Sequence, residues 1–313
     1  MFPFLQLDPL SQDCVLRFLH PSELFRLSLC SRITNFLVKP ILQKTNSFYS
    51  LDLHLDETCS IGIQYENEET GDFEYFSCYF SENSEFRIRD SDSKDCYFYF
   101  ENQIDGFKIL LNFIFHLYSK PIEILYLENS KWIDILKIVN STQESIKFGH
   151  VNLPENCAKL PEILENLKIE ELELEMFPDS EFIKNDVRTY KHKELTVTQG
   201  FWITQERLLT MDCEILTLSG TRIQNRDVNE FLKFWIQGGS KNLKNLTLNV
   251  LEIELSEILN EIKYTEIEHE GKSSISGTAC KYQIQRCRDG KFAIIYTKIF
   301  NETPIFYMEV VHE

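Results

Sequence analysis

The chain has 313 residues, 43% hydrophobic and 13% aromatic, with 24 Phe against 11 Gly and 9 Pro; this is too long for one small core and too apolar for a disordered or linker-rich chain. Its formal charge of -17 leaves no basic stripe for phosphate-backbone binding and disfavours anionic membranes, so neither nucleic acid nor membrane is an expected partner. The nine cysteines (Cys14, Cys30, Cys59, Cys78, Cys96, Cys157, Cys213, Cys280 and Cys287) are scattered and form no CxxC pair, which argues against a disulfide framework and fits reduced thiols in the cytoplasm or nucleus.

The first residues, Met1 to Pro9, lack a cationic stretch and carry an acid before any long apolar run, unlike a secretory signal. Residues 2–44 then follow a helical pattern. Ser11 is the expected cap of a helix over residues 12–19, and His20-Pro21 stops it, because the residue before proline avoids the helical region. Ser22 is expected to cap a second helix over 23–30, and a third runs over 32–38 and ends at Pro40. Three short helices cannot bury all of their apolar side chains among themselves, so part of that surface should face another domain or another protein.

Alternating patterns take over from Phe48 to Phe100. Strands are expected at residues 51–55, 61–65, 73–80, 86–88 and 97–100, as a small antiparallel meander with an acidic turn at 67–72 and a polar stretch at 90–95. Residues 104–118 read as a helix. The apolar run inside it, Phe107 to Tyr118, is broken by Lys108, Asn112 and His116 and is shorter than the roughly 18 residues a membrane span needs.

One short strand pattern then recurs six times, at residues 122–127, 146–148, 172–174, 195–197, 215–218 and 243–248. Helical patterns lie between, at 132–139, 158–167, 203–211 and 228–236, and residues 256–262 close the series. The spacing of roughly 20 to 30 residues falls in the range of leucine-rich repeats and predicts a βα solenoid, in which each unit buries its Leu and Ile against the next. Binding surfaces of such arrays usually follow the parallel strands. At the end of the chain, strands at 279–286 and 292–299 flank Asp289-Gly290, a tight-hairpin signal, and 305–311 makes a third strand of a second meander.

Phe2-Pro3-Phe4-Leu5-Gln6-Leu7, Val15-Leu16, Pro21-Ser22-Glu23-Leu24-Phe25 and Leu27-Ser28-Leu29-Cys30-Ser31 together resemble an F-box of the nematode type. In that family the F-box precedes a type 2 F-box-associated domain. Trp202-Ile203-Thr204, Leu208-Leu209, Cys213-Glu214, Asn229-Glu230-Phe231-Leu232-Lys233, Trp235-Ile236-Gln237-Gly238-Gly239 and Arg286-Cys287-Arg288-Asp289-Gly290 are similar to that domain. The family usually carries proline at the position of Asp8 and an acid at the position of Cys14.

The resemblance implies an α/β chain: a three-helix F-box at 1–44 and a substrate-binding domain at 45–313. The second part divides into a β-meander plus helix at 45–120, leucine-rich-like repeats at 121–265 and a C-terminal β cap at 274–313. It also implies a non-catalytic adaptor of an SCF-type ubiquitin ligase, without a cofactor, with a Skp-type adaptor, through it a cullin, and an unknown protein substrate as partners. Adaptor binding falls to Pro3, Leu5, Leu7, Pro9, Leu10, Val15, Leu16, Leu19, Pro21, Leu24, Phe25 and Leu29, whose apolar members divide between the F-box core and the docking face. Leu24→Asp or Phe25→Asp would test that docking. The competing reading is a leucine-rich-like scaffold that binds protein without delivering ubiquitin.

No pattern for chemistry stands against this. Gly271-Lys272-Ser273 lacks the glycine a phosphate loop needs, with Glu266 in its place. The seven histidines form no HxH or HExxH, and Cys280 and Cys287 read as facing core thiols rather than a metal pair. Glu68-Glu69 and Glu170-Glu171 lack the spaced donors of a calcium loop and read as solvated. Trp202, Phe234 and Trp235 read as core at helical spacing.

Overall fold

In the computed structural model, which describes residues 4–44, 49–66, 72–81, 94–153, 159–178, 183, 189–267, 281–301 and 303–311, two prolines set where the first helices begin. Pro9 opens helix α1 (Pro9–Arg17) and Pro21 opens α2 (Pro21–Cys30), each at a position where a missing N–H costs nothing. The caps are therefore Asp8 and His20, not the expected Ser11 and Ser22. The Asp8 carboxylate accepts from the N–H groups of Leu10 and Ser11, both at 3.1 Å. His20 Nδ1 accepts from Ser22 N–H at 3.2 Å, and Glu23 accepts from the His20 N–H at 2.8 Å, a reciprocal capping box. Helix α3 (Arg32–Lys44) does not stop at Pro40 but runs through it. The lost backbone bond is tolerated because Val38, Ile41 and Leu42, on both sides of the proline, are buried.

The chain divides into two compact units, residues 1–147 with 162–168 and residues 148–161 with 169–313. The first holds α1–α3, strands β1 (Tyr49–Leu55), β2 (Cys59–Glu66), β3 (Phe73–Ser81) and β4 (Cys96–Tyr99), helix α4 (Gln103–Tyr118), β5 (Ile122–Leu127) and α5 (Ile133–Thr142). Its strands run in the order β5-β1-β2-β3-β4. β1, β2 and β3 are antiparallel as expected, whereas β4 is parallel to β3 and β5 is parallel to β1. The expected all-antiparallel meander is thus corrected. A parallel neighbour needs a crossover of about a dozen residues, and the stretch between Ser81 and Cys96 is long enough to supply one.

Leu51, Leu53, Leu55, Ile61, Ile63, Phe76, Cys78 and Phe80 fill one face of this sheet. The Phe25 ring of α2 enters that core. It lies 5.6 Å from Phe76, 6.4 Å from Phe98 and 5.9 Å from Phe113, and none of its surface reaches solvent. Tyr65 adds a polar joint, its hydroxyl bonded to both His20 and Glu74.

The second unit takes in β6 (Ile146–Leu153) from residue 148 onward, together with β7 (Ile169–Met176), β8 (Glu194–Val197), α7 (Gln205–Thr210), β9 (Ile215–Leu218), α8 (Asn225–Ile236), β10 (Asn245–Asn249) and α9 (Leu255–Ile258). Helix α6 (Leu160–Asn166) comes between β6 and β7 in the chain. Each recurrence of the strand pattern falls on one of β5 to β10. β7 to β10 are parallel and share one register. Leu172, Leu195, Leu216 and Leu246 form one buried row, and Leu174, Val197, Leu218 and Leu248 the next. Between these rows, on the opposite face, stand Glu173, Thr196, Thr217 and Thr247.

Four antiparallel strands complete the unit: β11 (Tyr264–Ile267), which was not expected, then β12 (Lys281–Gln285), β13 (Phe292–Phe300) and β14 (Thr303–Val311). Their order is β10-β14-β13-β12-β11, so the last strand sits next to β10. The expected two-residue hairpin at Asp289-Gly290 is a longer loop, closed by Arg286 N–H donating to the Lys291 carbonyl at 2.8 Å. Gly290 still supplies the positive φ, at 74°.

The loop is longer because Arg286 turns inward. Its guanidinium stacks on the Trp235 ring at 4.5 Å and donates to the carbonyls of Gly239 and Ser240, each at 3.2 Å, while Asp289 accepts from its other arm. The Cys287 N–H donates to the Ile236 carbonyl at 2.9 Å. The Ile236 carbonyl that ends α8, and the Gly239 and Ser240 carbonyls just beyond the helix, are satisfied by a hairpin some fifty residues later in the chain.

The strand Phe86 to Ile88, the residues Pro3, Glu68, Glu69, Cys157, Cys280 and Gly271-Lys272-Ser273, and most of the stretches at 67–72 and 90–95 lie outside the described residues.

Replacing Arg286 by Met keeps the bulk over Trp235 and removes every donor. It is expected to cost about 1.5–3 kcal/mol, the range for buried hydrogen bonds to a charged group. Urea unfolding of the two proteins measures the difference, and an unchanged midpoint would show that the clamp adds nothing.

Candidate adaptor-docking surface

The three N-terminal helices each have a side spent in the core and a side turned outward. On α1 Leu16 is buried, while Leu10, Cys14 and the capping residue Phe18 follow one another every fourth position on the exposed side. Leu10 is 79% and Phe18 86% exposed. On α2 Ser22, Leu24, Phe25 and Ser28 are buried and Leu29 is exposed. On α3 Thr34, Val38, Ile41 and Leu42 are buried, and Ile33 and Phe36, three positions apart, are 60% and 75% exposed.

The residues expected at the adaptor interface are distributed accordingly. Leu5, Pro9, Leu10 and Leu29 are exposed, and Leu7, Val15, Leu19 and Pro21 are half-buried. Leu16, Leu24 and Phe25 lie inside the chain's own core. An Asp at Leu24 or Phe25 would consequently break the fold before it reported on docking. Phe18, Ile33 and Phe36 are exposed apolar side chains outside the expected set; Phe18 falls between the segments that carry the resemblance, and Ile33 and Phe36 lie beyond Ser31, where those segments end.

Around this surface the polar groups are ordered. Asp13 pairs with Arg17 at 2.8 Å along α1. The Asp8 carboxyl is held below its usual range, first by the Ser11 hydroxyl and then by the Ser11 N–H. His20 is held below its ordinary value of 6.5 by burial and then by the Lys94 charge, against the opposing pull of Glu74.

A second surface belongs to the other unit. Glu173, Thr196, Thr217 and Thr247 form a row on the open side of β7–β10, and the Phe177 and Phe201 rings, which follow β7 and β8, lie 6.1 Å apart. Glu171 pairs with Lys193 at 3.2 Å and Glu173 with His150 at 3.3 Å. Trp202 and Trp235 are buried core residues and Phe234 is half-buried. Among the described residues no cluster of His, Cys, Asp and Glu is placed to hold a metal ion, and no helix is long and apolar enough to cross a membrane.

Comparison with known proteins adds a family signal to this geometry. Residues 184–248 match a family described as F-box associated. The matched stretch contains β8 and β9, the row residues Thr196, Thr217 and Thr247, and the Trp235 that Arg286 covers. A Caenorhabditis elegans protein described as Skn-1 dependent zygotic transcript 15 protein is 23% identical over 289 residues, covering 83% of each chain. No solved structure matches significantly.

The His20 joint makes stability depend on pH. With its folded value depressed, the unfolded chain binds more protons, so the contribution of His20 is fully present above pH 6.5 and is lost as pH falls from there through the folded value. His20→Asn keeps a capping acceptor and removes the titration. Melting temperature followed from pH 7.5 to 5 should fall less steeply in His20→Asn than in the natural chain. Parallel curves would mean that the imidazole is not held neutral.

Proposed function

We propose that this chain is a non-catalytic substrate-recognition subunit of an SCF-type ubiquitin ligase. Helices α1–α3 act as the F-box and dock to a Skp-type adaptor, which connects to a cullin. The second unit holds the target protein, and the chemistry is done by the ligase's partner enzyme on an acceptor lysine kept close by. Cytoplasm and nucleus are the compartments that suit this role.

The observation that carries the reading is the outward apolar set Leu10, Phe18, Ile33 and Phe36 on helices whose other sides are already buried. Large apolar side chains grouped on one module mark a protein interface, and the F-box-associated match at 184–248 supports a Skp-type adaptor as the occupant. The exposed members Leu5, Pro9 and Leu29 join that face, and Leu7, Val15, Leu19 and Pro21 border it. Pro3 is assigned to it by resemblance alone. In the second unit, β7–β10 with α7, α8 and α9 are read as leucine-rich-like units of a solenoid. The target is placed on their open face, around Thr196, Thr217 and Thr247 with Phe177 and Phe201 at its end.

Leu10→Asp with Phe18→Asp, or Ile33→Asp with Phe36→Asp, tests the docking face. These side chains are exposed, so the melting temperature should hold. Each buried anchor of this size is worth on the order of 1.5–3 kcal/mol, so affinity for a purified Skp-type adaptor should fall at least about tenfold. Undiminished adaptor binding by both folded double variants would favour the scaffold reading, in which the chain binds protein without delivering ubiquitin.

A further inference from the structure

Cys78 and Cys96 are register partners on the neighbouring parallel strands β3 and β4, so their side chains leave the sheet on one face. Neighbouring strands lie about 4.8 Å apart, inside the roughly 4.4–6.8 Å between Cα atoms that a disulfide bridges. Both are free thiols, Cys78 fully buried and Cys96 7% exposed. Phe76 and Phe98, two residues away on the same strands and the same face, carry the Phe25 ring. Arg26 on α2 donates to the Asp95 carbonyl at 2.9 Å, next to Cys96, whose thiol its positive charge favours in the ionised form.

We propose that Cys78 and Cys96 form a reversible disulfide inside the chain when it meets hydrogen peroxide, with Cys96 as the attacking sulfur and Cys78 as the resolving thiol. The Cys96 thiol gives its proton to solvent and the thiolate attacks the peroxide: an S–O bond forms, the O–O bond breaks, and the expelled hydroxide takes back a proton from solvent and leaves as one water. The Cys78 thiol gives up its proton and attacks the Cys96 sulfur: the S–S bond forms, the S–O bond breaks and a second water leaves. Two thiols are oxidised by two electrons and the peroxide is reduced to two waters.

The roles follow from the surroundings. Cys96 is held below the usual thiol range by the hydrogen bond from Cys78 and then by Arg26, in spite of burial. Burial pushes Cys78 up, as it does Cys59, and it pushes Cys213 up to about 11. The exposed Cys14, Cys30 and Cys287 have no cysteine as a registered strand partner among the described residues. The bond would tie the four-residue edge strand β4 to β3, directly under the ring that holds α2. It does not depend on the docking reading.

The test uses the full chain, reduced and then exposed to graded hydrogen peroxide, with peptide mapping without reduction. The expected product joins the Cys78 and Cys96 peptides, is lighter by two hydrogens, and returns to thiols with dithiothreitol. In Cys78→Ala the reaction should stop at a Cys96 sulfenic acid that dimedone traps, and Arg26→Gln should slow Cys96 oxidation several-fold. Should Cys78→Ala not fold, the triple variant Cys14→Ser, Cys30→Ser, Cys287→Ser keeps the pair and must still form the link. Cys96 staying reduced while the exposed thiols oxidise, or links forming only between chains, would overturn the proposal. An unchanged rate in Arg26→Gln would overturn the assignment of Cys96 as attacker.

Discussion

The position of one aromatic ring governs what the N-terminal helices can do. Phe25 enters the sheet core among Phe76, Phe98 and Phe113, and this fixes the rotation of α2. Leu24 and Ser28 follow it inward, and Leu29 is left outside. With α2 committed, α1 and α3 present what the sheet has not taken, Leu10 and Phe18 on one and Ile33 and Phe36 on the other. A helix pair facing only solvent would be driven to bury those side chains on itself. Here the inner faces are already filled, so the outer ones remain available to a partner.

The second unit rests on a different kind of constraint. Its parallel strands stack leucine, with one valine, in two unbroken rows, which leaves no choice of register. The clamp of Arg286 over Trp235 then ties the late hairpin to the end of α8. Trp235-Ile236-Gln237-Gly238-Gly239 and Arg286-Cys287-Arg288-Asp289-Gly290, far apart in the chain, are two halves of one contact. Gly238, at φ 102°, turns the chain beneath Arg288 where a Cβ would be strained.

Elements built on apolar periodicity were legible in the chain, and those decided by something else were not. The strands β5 to β10 announce themselves because most of their inward residues are Leu, Ile or Val recurring largely at a two-residue period. β11 does not, because Tyr264, Thr265 and Glu266 are all exposed and no buried side alternates with them. Pro40 reads as a stop, yet packing on both sides of it outweighs one missing hydrogen bond. Strand direction and neighbour are not written in the alternation at all, so it does not show β4 running parallel beside β3. At the docking surface the limit is the same. Apolarity marks Phe25 and Phe18 alike, and only the packed structure separates the ring that holds the module together from the ring that is free to meet a partner.

The strand order of the second unit also bears on how the chain comes off the ribosome. β11, β12 and β13 are synthesised before β14 but reach the rest of the sheet only through it. Until β14 emerges, β10 carries a bare hydrogen-bonding edge, and β11, β12 and β13 can pair only with one another. The sheet beyond β10 therefore cannot be added in the order in which its strands are translated. A frameshift or a protease cut just ahead of Thr303 would therefore release four strands, not one.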